Sequence, residues 1–243
     1  MTMQKICLEN IIPVMDNPRF DSGAALDLLD GLIGRYPQLA SCRADIERAF
    51  QIVRDAYLAG NKILICGNGG SAADADHWAG ELLKSFSKPR PLCREDKDKL
   101  PPELADHLQE GLPIIPLTGF SALNTAFAND VASEFTFAQL VWSLGKPGDV
   151  FIGISTSGNA RNVCAAAQTA RVRRMPTIAL TGKSGGRLRP LSDITIAAPE
   201  SETYLVQELH LPIYHYLCLM LEEEFFPTPP KSDVTTVYAA QER

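Results

Sequence analysis

Two pairs of potential ligands stand far apart in the chain. His77 and Glu81 are four residues apart in an alanine-rich stretch, so on a helix they share one face. An imidazole and a carboxylate at that spacing can grip one divalent ion, or can simply touch each other at the surface. Gln207, His210 and His215 fall in a second helical stretch, roughly Tyr204–Phe225. Positions 207 and 215 lie near one stripe of such a helix, whereas His210 stands about 140° around from His215. Histidines set among Leu211, Tyr214 and Leu217 can equally be hydrogen-bonded members of a core. His107, the remaining histidine, sits in a charged segment.

Two further stretches suit an anion. Cys66-Gly67-Asn68-Gly69-Gly70-Ser71 joins an apolar run to a helical one. Glycines let the chain turn sharply there, and a helix start offers unpaired N–H groups. The spacing matches neither a dinucleotide fingerprint nor a Walker loop, and a tight strand-to-helix turn would explain it too. Ser155-Thr156-Ser157-Gly158-Asn159 follows a second apolar run. Its hydroxyls can donate to phosphate oxygens, although any helix favours one such residue as its N-cap. One cap needs one residue, and here there are four.

The elements that must carry these residues follow from periodicity. Apolar residues recur at helical spacing in Ala24, Ala25, Leu28, Leu29 and Leu32, and again in Ile46, Ala49, Phe50 and Val53. Short runs rich in Ile, Leu and Val then alternate with helical stretches at Lys62–Cys66, Ile114–Leu117, Val150–Ile154, Thr177–Leu180 and Ile194–Ala197. Runs without strict alternation predict strands buried on both faces. Strands separated by helices predict crossovers and a parallel sheet. The expected fold is therefore α/β, a doubly wound five-stranded parallel sheet flanked by helices, with an N-terminal helical pair over 1–60 and the main domain over 61–226. Both anion-friendly loops would lie beyond the carboxyl ends of strands, where open α/β sheets bind ligands. Residues 88–111 hold four prolines and a charge run, and read as an insertion with a short helix near Pro102. Residues 227–243 read as a tail or an arm that docks on a neighbour.

Composition excludes some function classes. A net charge of −6 argues against general affinity for nucleic acid or anionic membrane. Six scattered cysteines without a CxxC pair read as reduced thiols rather than a disulfide framework. No apolar run approaches the ~18 residues of a membrane span, and no secretory leader is evident, so a cytoplasmic protein is expected.

Taken together, CGNGGSAADADHWAGEL (66–82), GDVFIGISTSGN (148–159), IALTGKSGG (178–186) and VQELHLPIYH (206–215) resemble the phosphoheptose isomerase branch of the SIS (sugar isomerase) family, in order across about 150 residues. The resemblance implies a metal-dependent aldose–ketose isomerase for a phosphorylated sugar, with sedoheptulose 7-phosphate the expected substrate. It implies a divalent metal, commonly zinc, on His77, Glu81, Gln207 and His215, with Glu81 and His215 as the proton-transfer groups. Implied substrate contacts are Asn68, Gly69, Ser71, Ser155, Thr156, Ser157, Gln207 and the pair Asn129-Asp130. Relatives are typically homotetramers, so an oligomer is expected. The chemistry is consistent: moving a proton between C1 and C2 through an enediol needs a base and a group that stabilises the developing oxyanion.

The departures concern substrate contacts. Ser85, with Lys84 beside it, stands where the branch usually has Arg; Tyr204 replaces an Asp, and Ala160 a Ser. The insertion exceeds the usual connection and would roof the pocket. A non-catalytic SIS protein that binds a sugar phosphate or a replication-initiation partner is the alternative. It lacks the Glu and the final His that stand here as Glu81 and His215.

Overall fold

Helix formation at the start of the chain follows the apolar spacing. The structure, a computed structural model, describes residues 22–227. Its first elements are helices α1 (Ser22–Arg35) and α2 (Arg43–Leu58), joined by a 3₁₀ turn over Pro37–Cys42. The faces carrying Leu29, Leu32, Ile46, Ala49, Phe50 and Val53 are buried. Then come β1 (Ile63–Cys66) and α3 (Gly70–Leu82), followed by the insertion with the short helices α4 (Arg94–Lys97) and α5 (Pro102–His107). The second half runs β2 (Ile114–Pro116), α6 (Ser121–Phe127), α7 (Thr136–Leu144), β3 (Val150–Ser155), α8 (Arg161–Val172), β4 (Thr177–Thr181), β5 (Ile194–Ala197) and α9 (Thr203–Phe225). The expected tail lies outside the described residues except for Pro227, and so does Cys7.

The sheet is parallel throughout, in the order β2-β1-β3-β4-β5. Successive side chains of a strand point to opposite faces, and here they feed two separate cores. Ile63, Ile65, Ile152, Ile154, Ile178 and Leu180 pack with α1, α2, α3 and α9. Leu64, Cys66, Phe151 and Ala179 pack with α7 and α8. Burial on both faces explains why the central strands β1, β3 and β4 read as apolar runs, while the edge strands β2 and β5 are partly exposed. The order reverses between β1 and β3, the switch point at which such sheets open a crevice. The glycine loop follows β1 and the serine loop follows β3, so both rims of that crevice are the two stretches singled out above.

The insertion is tied down by a buried ion pair. Glu222, near the end of α9, accepts hydrogen bonds from the amides of Phe86, Ser87 and Lys88 and from Arg90 Nε at 2.7 Å. Arg90 also donates to the Leu82 carbonyl and lies over the Phe226 ring. Burial alone would raise the Glu222 carboxyl, but the Phe86 and Ser87 amides and the Arg90 guanidinium outweigh it and hold it below its ordinary value. The five described cysteines are all free thiols. Among the described residues no helix is long and apolar enough to cross a membrane.

Candidate active site

Glycine at position 70 is where α3 and α9 meet. A Cβ there would come within 2.3 Å of Gln207 Nε2, so only glycine lets the Gln207 amide lie across the first turn of α3. Seven and eleven residues further on, the same helix presents His77 and Glu81. Their side chains share a face as expected, with His77 Nε2 3.1 Å from Glu81 Oε1. Two turns beyond Gln207, α9 brings His215 to them, its ring edge-to-face with that of His77 at 5.1 Å between centroids. Of the four expected ligands, His77, Glu81 and His215 are therefore neighbours at the seam between α3 and α9, while Gln207 lies two turns away, across the first turn of α3.

Around them is a polar network. The Tyr214 hydroxyl lies 2.9 Å from His77 Nδ1 and donates to Asp74 Oδ1 at 3.5 Å. The Tyr214 ring stacks on Trp78. Burial raises the Asp74 carboxyl, which the Tyr214 hydrogen bond and His77 only partly offset, and burial together with Asp74 raises the Tyr214 hydroxyl well above its usual range. Burial, reinforced by His77 and opposed by Glu81, lowers His215. Burial thus favours the uncharged ring of His215, whose Nε2 is buried without a hydrogen-bond partner. The Phe86 ring tilts against the outer side of His215, 5.5 Å between centroids. Lys84 reaches back to Glu81 Oε2 at 3.4 Å, while Ser85 accepts from the Arg90 amide and ties the insertion instead.

No side chain caps α8, whose N-cap residue is Ala160. Ser157 Oγ accepts from the Asn159 amide at 3.2 Å, within the serine loop itself. Ser155 Oγ accepts from the Ala160 amide at 3.5 Å, so two of the hydroxyls serve the turn itself. The loop is held from below by backbone: Gly158 has φ +66, and a Cβ there would meet the Gly185 carbonyl at 2.0 Å. Gly182 N donates to the Thr156 carbonyl at 2.8 Å. On the other rim, Gly69 has φ +56, and Ser71 is buried in the first turn of α3, which likewise has no side-chain cap.

Other candidates are placed elsewhere. His210 is fully buried; its Nε2–H donates to the Thr181 carbonyl, and burial lowers its pKa to about 4. It fastens α9 to the end of β4 and makes no contact with the ligand set. His107 Nδ1 bonds the Glu103 carbonyl inside α5. Asn129 donates to Asp130 at 2.8 Å on an exposed π-helical turn, Ala128–Ala132, and neither is hydrogen-bonded to the residues above. Among the described residues, one trio of His, Cys, Asp or Glu has donor atoms all within 4.8 Å: Cys93, Asp96 and Glu110, in the insertion. The Lys99 ammonium already sits on Asp96 there. Tyr214, Asp74 and Asn162, which faces Asn68 across the crevice, were not singled out by the sequence. Asp74 alone carried a signal, lying on the His77 side of α3.

Comparison with known proteins bears on family and fold. Residues 123–220 match the SIS domain. A phosphoheptose isomerase of Helicobacter hepaticus is 42% identical over 179 residues, covering 74% of this chain and 82% of the relative. That of Akkermansia muciniphila is 36% identical over 196 residues, covering 81% and 94%. The chain belongs to the phosphoheptose isomerase family. Among solved structures, a phosphoheptose isomerase from Francisella tularensis superposes with a TM-score of 0.66 at 29% identity, covering 83% of this chain and 94% of that one. The enzyme from Neisseria gonorrhoeae gives 0.62 at 30% identity, over 83% and 93%. Phosphoheptose isomerases thus share both the sequence and the five-stranded parallel fold with this chain.

Proposed function

We propose that the chain interconverts sedoheptulose 7-phosphate and D-glycero-D-manno-heptose 7-phosphate in the crevice between β1 and β3. The observation that carries this reading is that His77 and Glu81 of α3 meet His215 of α9, with Gln207 further along the same seam, beside two loops suited to a phosphate. In the forward direction Glu81 takes the proton from C1 of the ketose and returns it at C2. His215, its uncharged ring favoured by burial, moves the hydroxyl proton between O1 and O2. The hydroxyls of Ser71, Ser155, Thr156 and Ser157, with helix N–H groups, hold the phosphate, and Asn129-Asp130 is assigned to the sugar.

A divalent ion, zinc by preference, belongs to the same proposal, and the residues fit it. Two imidazoles, a carboxylate and an amide oxygen form a borderline donor set suited to zinc. The buried, unpartnered Nε2 of His215 is what a missing acceptor of that lone pair would leave. His77 is oriented by Tyr214, as ligating imidazoles commonly are by a polar neighbour. His77, Glu81, Gln207 and His215 would hold the ion, which when bound supplies positive charge beside the substrate's carbonyl and hydroxyl oxygens. An oligomer is part of the proposal, supported by Phe135, Trp142 and Val172, which expose apolar surface along one groove between α7 and α8; sedimentation equilibrium tests it.

The deciding experiment follows loss of the C1 or C2 hydrogen of sedoheptulose 7-phosphate to deuterated water. Exchange and aldose formation are expected. Protein that exchanges with no ketose phosphate overturns the enzyme reading and leaves a sugar-phosphate-binding module. Elemental analysis of protein purified without chelator should show about one divalent ion per chain; no uptake from added zinc would remove the metal from the proposal.

A further inference from the structure

A pair of asparagine side chains joins the glycine loop to the start of α8, just beyond the serine loop. Asn68 Nδ2 donates to Asn162 Oδ1 at 2.9 Å, and Asn162 Nδ2 donates back to Asn68 Oδ1 at 2.8 Å. Because each planar amide uses a donor and an acceptor at once, the pair fixes orientation as well as distance. Asn162 Oδ1 also accepts from the Val163 amide at 3.0 Å, so its acceptor sites are filled.

The partners differ in how firmly they are held. Asn68 stands between Gly67 and Gly69, in a loop whose other glycine, Gly70, also has no side chain to anchor it. Gly67 cannot gain one, since a Cβ would come within 2.4 Å of the Ser71 carbonyl. Asn162 lies in the first turn of α8, just beyond the serine loop. Val163, Ala166, Ala167 and Ala170 of that helix are buried. Gly153 admits its close approach to the sheet, since a Cβ there would meet Val163 Cγ1 at 2.8 Å. A glycine loop is thereby registered against a packed helix.

We infer that Asn162 is a positioning residue: with Asn68 it clasps the glycine loop to the serine loop and sets the width of the phosphate site between them. A second part of the inference concerns Asn68 itself. Its side chain is engaged with Asn162, so it serves the phosphate through its main chain. Both parts rest on the reading of the two loops as the phosphate site.

The test compares Asn68→Ala, Asn162→Ala, the double variant and Asn162→Asp. The readouts are the inhibition constant of inorganic phosphate and steady-state kinetics with sedoheptulose 7-phosphate and with unphosphorylated sedoheptulose. Each alanine variant should raise KM for the phosphorylated sugar, and the phosphate constant, roughly three- to tenfold, as expected for losing one such hydrogen-bonded pair. KM should rise by more than kcat falls, and the unphosphorylated sugar should be little affected. The double variant should be no worse than either single one, because removing one partner already opens the clasp. Asn162→Asp keeps an acceptor but places a carboxylate beside the site, so it should weaken phosphate more than the alanine does. Multiplicative losses in the double variant overturn the clasp. Equal losses with and without the phosphate group overturn the positioning role and leave a structural one. Should Asn162→Ala fail to fold, Asn68→Ala, in the exposed loop, carries the same test. A wild-type protein that turns over the sugar but ignores inorganic phosphate overturns this inference alone; one that does neither overturns the proposed function first.

Discussion

At the α3–α9 seam the chain presents side chains, and at the crevice between β1 and β3 it presents mostly main chain. His77 and His215 each leave a long helix and are flanked by Trp78, Tyr214 and Phe86, and burial lowers the pKa of His215. The loops around Gly69 and Gly158 instead hold their shape through positive φ angles and backbone contacts; of their hydroxyl residues Ser71 and Ser155 are buried and Ser157 is exposed. A group that moves a proton must have a defined basicity, which needs a particular side chain in a particular environment. A group that holds a phosphate needs only several N–H and O–H donors at the right distance, and the backbone supplies those with little dependence on any one residue. The two regions should therefore respond to substitution on different scales.

The largest effect is expected at the seam. Glu81→Gln keeps the shape and an oxygen for the proposed ion but removes the proposed base. Isotope exchange should fall by at least the 10²–10⁴-fold typical of a general base, roughly. Exchange at the wild-type rate would exclude Glu81 and with it the contrast drawn here. His77→Ala should lose most of the bound metal while still folding.

Next in size is stability. Arg90→Ala strands the buried Glu222 carboxylate and should cost about 3–5 kcal/mol in urea unfolding. The folded-state pKa of Glu222 is depressed, so its contribution is complete above the unfolded value of about 4.3 and is lost as pH falls further through the folded value. Glu222→Gln should flatten that acid limb. His210 acts in a higher window: its folded pKa of about 4 lies below the unfolded ~6.5, so stability should fall as pH drops from 6.5 towards 4. A change of the acid limb in Glu222→Gln above pH 6 would show that another group carries it.

Smaller still, Tyr214→Phe removes the hydroxyl that orients His77 and should weaken metal binding by about 10–100-fold, measured by chelator competition. The smallest effect is expected in the serine loop, where Ser157→Ala should weaken sugar-phosphate binding by about 1 kcal/mol or somewhat more. Should Ser157→Ala instead match Glu81→Gln, the loop would be a side-chain site after all.

The same division decides what could be read from the sequence. Strands β1, β3 and β4 were legible because burial on both faces leaves a largely apolar run, β5 because its two isoleucines face the core, and His77 with Glu81 because one helix turn sets their spacing. β2 stops at Pro116, earlier than the apolar run suggests, because Leu117 begins a 3₁₀ turn. In the insertion only a helix near Pro102 was expected; Arg94–Lys97 forms another, hidden within what read as a charge run. The partnership of Asn162 with Asn68, and of Arg90 with Glu222, spans 94 and 132 residues. No local pattern distinguishes such residues from an ordinary helix-start asparagine or a surface ion pair; only the folded sheet brings them together.

The nest around Glu222 has a consequence for how the molecule opens. The amides of Phe86, Ser87 and Lys88 have their acceptor on a helix more than 130 residues later in the chain. Contacts of such long sequence separation close late in folding, after the loop entropy between them has been overcome. Native-state hydrogen exchange at these amides therefore reports the docking of the final turns of α9 rather than any opening of the insertion's own helices. If undocking is a sub-global event, they will exchange together, with one shared opening free energy below that of global unfolding, and that event will release Phe86 from the face of His215.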